Sequence, residues 1–188
     1  MAAGAAGIVQ AAFDRRTRPG RALGGDAELI ALACRDMAVR FHRGGKLLVF
    51  GNGGAATDAQ HVAVEFMHPV IVGKRALPAM SLAGDFAERM RLLSKPDDIA
   101  LGISADGNCA NVLEALREAR ERGLETVALL GGDGGEIARS GAAHHVLVAR
   151  SDDPCVVKEV HVTAYHILWE LVHVFFDQPG TLEGEAVG

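Results

Sequence analysis

The sequence predicts an α/β protein, a parallel sheet covered by helices on both faces, and three observations predict it. Short, mostly apolar runs recur at 46–50, 77–82, 99–104, 126–130 and 145–149. Segments with helical apolar spacing separate most of them. Two of the runs, ending near Gly51 and Ser104, lead directly into glycine turns that open helices. Runs apolar on both sides suit strands buried on both faces, and their alternation with helices is the pattern of parallel crossovers.

Taken in order, residues 1–25 are expected to form an N-terminal arm. Arg15, Arg16, Arg18 and Arg21 read as a solvated face, and Pro19 with Gly20 is expected to interrupt any helix through them. Residues 26–188 read as one domain, because 188 residues with 49% hydrophobic content supply one well-buried core and not two. Leu29, Ile30, Ala33, Met37 and Phe41 share one face of a helix that Asp26 caps and Gly44-Gly45 ends. The strand Lys46–Phe50 follows, then a helix carrying His61 and Glu65. Leu77–Leu82 and Ile99–Ser104 are the next strands. A helix from near Asn108 closes at Gly123, and the strands 126–130 and 145–149 come after it. Val157, Val160, Ala164, Ile167, Leu168, Leu171 and Phe175 then mark a long helix from Pro154 to about Phe176.

A net charge of −5 provides no basic footprint for nucleic acid, so a small molecule or a protein is the expected partner. Cys34, Cys109 and Cys155 are odd in number, widely spaced and free of any C-x-x-C pattern, which points to a reducing compartment without disulfides or a thiolate zinc site. No basic leader and no long apolar span is present, so the expected setting is the cytoplasm, with no membrane contact.

Chemistry concentrates in residues 50–65, FGNGGAATDAQHVAVE. Glycines let the backbone approach a bound group, and the N-terminus of the helix that follows offers free N–H groups and a positive dipole end to an anion. His61 and Glu65 lie one helical turn apart, on one face. By themselves they read either as an acid/base or metal-ligand pair or as a surface i,i+4 pair. A second strand end, Ser104-Ala105-Asp106-Gly107-Asn108-Cys109, repeats the strand, glycine turn and helix arrangement. In parallel sheets such strand ends are where ligands collect.

The separated motifs Gly51-Asn52-Gly53-Gly54, Asp58-Ala59-Gln60-His61 through Glu65, Gly102-Ile103-Ser104 with Gly107-Asn108, and Glu159 through His166 resemble the sugar isomerase (SIS) domain family. Within it the resemblance is to the phosphoheptose isomerases, which act on sedoheptulose 7-phosphate, and it runs from about residue 26 to residue 176. It implies a flavodoxin-like three-layer sandwich around a five-stranded parallel sheet. It also implies a homo-oligomer, a tetramer or dimer, binding a sugar phosphate. Glu65 would be the base and His166 its acid/base partner. Asn52, Gly53, Gly54, Ser104, Gly107 and Asn108 would contact substrate, with Asp85 standing in for an asparagine-aspartate pair of the family. His61, Glu65 and His166 would bind zinc, whose preference for imidazole and carboxylate they match.

The departures matter as much. Ala55 replaces a serine that binds substrate, and Ala105, Asp106 and Cys109 replace a threonine and two serines of the second loop. An Asp106 carboxylate facing a phosphate at about 4 Å would oppose it by roughly 4 kcal/mol at an effective dielectric of about 20. Lys158 stands where the family has a glutamine ligand, and an ammonium has no lone pair to give, which weakens the zinc expectation. A Lys158 to Glu65 salt bridge in place of the metal is the expectation that follows. Two functions are therefore carried forward. One is aldose-ketose isomerisation of a sugar phosphate through an enediolate; the other is a catalytically impaired relative serving as a binding or regulatory subunit.

Overall fold

A computed structural model describes residues 2–178. Five strands, β1 (Leu47–Gly51), β2 (Ala79–Ser81), β3 (Ile99–Ser104), β4 (Glu125–Gly131) and β5 (His145–Ala149), form an all-parallel sheet in the order β2-β1-β3-β4-β5. β1 pairs with β3 from Leu47↔Ile99 to Gly51↔Ile103, and β3 with β4 from Ile99↔Glu125 to Ser104↔Leu130. The three-layer expectation is met, because alternate strand residues enter two separate cores. Leu47, Val49, Leu101, Val127 and Leu129 pack with residues of α2 (Ala27–His42), α3 (Gly54–Met67) and α7 (Pro154–Asp177). Leu48, Phe50, Ala100, Ala128 and Leu130 pack with α4 (Phe86–Leu93), α5 (Ala110–Glu121) and α6 (Gly135–Ser140). This is the side-chain period of two that a sheet covered on both faces requires.

One helix departs from expectation. α1 (Ala2–Gly25) runs unbroken through Pro19. A proline removes one N–H and so one i−4 hydrogen bond, a loss a helix tolerates when tertiary contacts hold it. Here Pro19 and Leu23 are buried, Arg16 Nη2 donates to Glu159 Oε1 at 2.9 Å, and Arg150 binds Asp26 at 2.7 and 3.1 Å. Arg15, Arg16, Arg18 and Arg21 all lie on a helix that docks on α7 and β5, so the face around Arg16 is paired and not merely solvated. α3 ends at Met67, with His68 as its C-cap. Among the described residues no helix is long and apolar enough to cross a membrane.

The sheet order reverses between β1 and β3, so the connections leaving their C-terminal ends part and open a crevice there. β1 delivers its chain into the first glycine loop and β3 into the second.

Candidate active site

Gly53 caps α3 with φ +56°, a conformation that a residue with a Cβ adopts only under strain. Its geometry turns the chain from β1 into α3, aiming Asp58, His61 and Glu65 toward α7. From α7, Trp169 Nε1 donates to the Glu65 carbonyl at 2.9 Å, which sets the separation of the two helices.

Between them lies a compact cluster. Glu65 Oε1 stands 3.2 Å from His61 Nε2 and 3.1 Å from His166 Nε2. The Tyr165 hydroxyl lies 2.9 Å from His61 Nδ1, and this bond directs the other ring nitrogen toward Glu65. Burial, with Asp58 and Glu65 nearby, raises the Tyr165 phenol well above its ordinary value, so it keeps its proton at neutral pH. One ligand atom from each of His61, Glu65 and His166 lies within 4.8 Å of the other two. That spread accommodates a metal at ordinary ligand distances, and both imidazoles are half exposed, leaving the cluster open on one side.

Lys158 is elsewhere. Its Nζ donates to Asp58 Oδ1 at 2.7 Å and to the Gly54 carbonyl at 3.1 Å, so the expected salt bridge to Glu65 is not formed. The reason is spacing: Asp58 lies seven residues before Glu65, about 10 Å along the helix axis, and stands level with Lys158 on α7. The Lys158 charge therefore does not occupy the His61/Glu65/His166 cluster. Asn52, Gly54, Ala55, Asp58, Ala105, Lys158 and His161 line a pocket of about 280 Å³ beside that pair.

The second loop is closed on itself. Ser104 Oγ accepts the Gly107 N–H at 3.0 Å and donates to Asp106 Oδ1 at 3.4 Å. Asp106 Oδ1 also accepts the Asn108 N–H at 2.9 Å. Asn108 Oδ1 accepts the Glu136 N–H at 3.0 Å, and its Nδ2 donates to the Asp106 carbonyl. Gly107, with φ +72°, passes so close to Gly134 that a Cβ would fall 2.0 Å from the Gly134 carbonyl oxygen. Asn52 is tied to Asn111 by reciprocal amide bonds of 2.7 and 3.1 Å. Asp85 caps α4, accepting the Glu88 N–H at 2.9 Å.

The structure thus gathers His61, Glu65 and His166 at one point and Asn52 and Gly54 at the neighbouring pocket, while Ser104, Gly107, Asn108 and Asp85 spend hydrogen bonds on their own loops. Sequence reasoning missed Asp58, Tyr165 and His161. Asp58 and Tyr165 had a usable signal, one lying a helical turn before His61 and the other next to His166. Away from the site, His145 Nε2 lies 3.0 Å from Asp36 Oδ2 and 3.5 Å from Glu125 Oε1. Arg35 and Arg40 engage the same two carboxylates, making an ion-pair network that ties α2 to β4 and β5. His173 bonds the carbonyls of Trp169 and Arg75 and is structural.

The SIS domain family matches residues 21–131. A phosphoheptose isomerase of Solidesulfovibrio magneticus is 40% identical, the match covering 80% of this chain and 81% of that protein. One of Pelobacter propionicus is 41% identical, over 77% and 84% of the two chains. Among solved structures, a phosphoheptose isomerase from Neisseria gonorrhoeae superimposes with a TM-score of 0.78 at 29% identity, covering 88% of this chain and 96% of that one. Another from Francisella tularensis superimposes at 0.82 and 26% identity, covering 90% and 98%.

Proposed function

From the premise that the chain belongs to the SIS domain family, we propose that it is an aldose-ketose isomerase of a sugar phosphate, with sedoheptulose 7-phosphate as the first substrate to test. One observation carries the reading: a single carboxylate oxygen, Glu65 Oε1, held between the imidazole nitrogens of His61 and His166.

In this reading the ketose lies open-chain with its carbonyl end at Glu65. The Glu65 carboxylate takes a proton from C1, beside the C2 carbonyl. His166 Nε2, within hydrogen-bond reach of the same carboxylate, serves the two substrate oxygens, giving a proton to the C2 oxygen and receiving one from the C1 hydroxyl. Return of the carbon-bound proton to C2 completes the aldose with no net change of atoms. Tyr165 fixes the ring of His61, and His61 in turn holds the Glu65 carboxylate in place.

Zinc fits the donor set, two imidazole nitrogens and a carboxylate with room for a further ligand. His61, Glu65 and His166 would hold it, and when bound it would polarise the substrate oxygens as a Lewis acid. We further propose a homo-oligomer, supported by the exposed apolar side chains of Ile8, Val9 and Phe13 on α1 and Val70, Ile71 and Val72 after α3.

Incubation of the purified protein with sedoheptulose 7-phosphate, with and without added zinc, tests the reading. Formation of the heptose 7-phosphate aldose, lost in Glu65→Gln, is the expected result. Absence of turnover under both conditions sinks it.

A further inference from the structure

We propose that Lys158 is the anion-binding residue of this site. In this proposal the pocket at the N-terminus of α3 takes the substrate's phosphate on the Lys158 ammonium, and the second loop, its donors already bound to the Asp106 carboxylate, takes no part. The proposal rests on the sugar-phosphate reading above.

Lys158 stands where a cation that binds phosphate is useful. Two of its three N–H donors are spent, on Asp58 and the Gly54 carbonyl, and the third belongs to a side chain that lines the pocket. Asp58, only 6% exposed, anchors the ammonium. The N–H of Gly54, first residue of the 14-residue α3, has no acceptor within its own helix, and the helix dipole adds a positive end at the same point.

A second observation points to a ligand independently. His161 lines the same pocket, is 4% exposed, and its Nε2 has no hydrogen-bond partner. The ring bonds the Leu130 backbone, and burial pulls its pKa down, so the unpartnered nitrogen presents a lone pair. A buried lone pair without a donor is costly. A sugar hydroxyl beside the phosphate supplies that donor.

The second loop explains why recognition moves. Asp106 Oδ1 occupies the Asn108 N–H and the Ser104 hydroxyl, and Ser104 Oγ occupies the Gly107 N–H. An internal carboxylate holds the groups that an incoming phosphate would need. The loss of the hydroxyl at Ala55 removes one more donor, and Lys158 offsets both changes with a full charge. From Asp58 to Glu65 the helix advances about 10 Å. That distance leaves room for an open carbon chain between the phosphate end and the reacting end.

Calorimetric titration with inorganic phosphate, and then with sedoheptulose 7-phosphate, reads the proposal directly. Lys158→Met should weaken phosphate binding roughly ten- to hundredfold, the worth of one charge-assisted hydrogen bond, and Lys158→Arg should retain most of it. Because Lys158→Met leaves a buried carboxylate unpaired, the double variant Asp58→Asn/Lys158→Met serves where the single one does not fold, and it should show the same loss. Asp106→Asn should leave phosphate affinity within about threefold of the parent, because the second loop takes no part and its charge is screened. Undetectable phosphate binding by the parent protein, an unchanged affinity in the double variant, or a large gain in Asp106→Asn overturns the proposal. Turnover is measured separately. A Lys158-dependent phosphate site without turnover removes the isomerase reading and leaves this one standing, and turnover with Lys158-independent binding does the reverse.

Discussion

Lys158 Nζ lies 2.7 Å from Asp58 Oδ1, pairing a buried carboxylate on α3 with a half-exposed ammonium on α7. Breaking such a pair on the lysine side strands the carboxylate. Lys158→Met is expected to cost about 1–3 kcal/mol, below the full penalty for a buried pair because water reaches the lysine. Asp58→Asn/Lys158→Met should recover most of it. Urea denaturation of the three proteins measures this, and equal losses in the single and double variants would refute the pairing.

Glu65 is expected to be essential to turnover and dispensable for folding. Glu65→Gln should lower kcat roughly 10²- to 10⁴-fold, the range for a positioned acid/base group, while the melting temperature stays close to that of the parent. A fall in stability parallel to the fall in rate would assign Glu65 a structural role instead.

Tyr165 is a positioning residue for His61. Tyr165→Phe should weaken zinc binding about 10- to 100-fold, as removal of a group that orients a ligand usually does. The readout is competition with a chromogenic chelator, which needs no enzyme activity. Equal zinc affinity in the two proteins would show that the hydroxyl does not set the ring.

His161 carries a pH signature. Burial lowers its folded-state pKa, so below the unfolded value of about 6.5 the unfolded chain binds a proton that the folded chain refuses. Its contribution to stability is therefore present above about pH 6.5 and is lost as pH falls, with a slope of up to about 1.4 kcal/mol per pH unit. His144, also lowered chiefly by burial, acts with the same sign. Stability measured between pH 7.5 and about 5 should fall less steeply in His161→Gln than in the parent. Identical slopes would contradict it.

The apolar half of α1 predicts self-association. Phe13 is 65% exposed and Ile8 74%. Light scattering should show an oligomer, and Ile8→Asp/Phe13→Asp should shift it toward smaller species. A monomeric parent protein would remove the basis for this expectation.

Much of the fold was legible. The helix predicted from Asp26 appears as α2, the run 99–104 coincides with β3, and the terminal helix from Pro154 extends to Asp177. These elements carry their own signals, apolar period and glycine punctuation, within a few residues. β2 is shorter than the apolar run 77–82 suggests, because it pairs with β1 alone at the sheet edge. The helix through Pro19 was not legible, since its continuity depends on Arg16 meeting Glu159, 143 residues away in the chain.

For the site, the His61/Glu65 spacing and the two glycine turns could be read from the sequence, because each is a local pattern on one helix or loop. The partners of Lys158 and Asp106 could not. Whether a charge faces the ligand, the metal ligands or its own backbone depends on which side chains two distant elements bring level. α7 places Lys158 beside Asp58 and not Glu65, and the tight turn at Gly107 folds Asp106 onto Asn108. The sequence by itself determined the family, the sheet and the one-turn spacing of His61 and Glu65. Only the tertiary structure decided where the charges go, because electrostatic partnership is a matter of distance in space and the sequence records only distance along the chain.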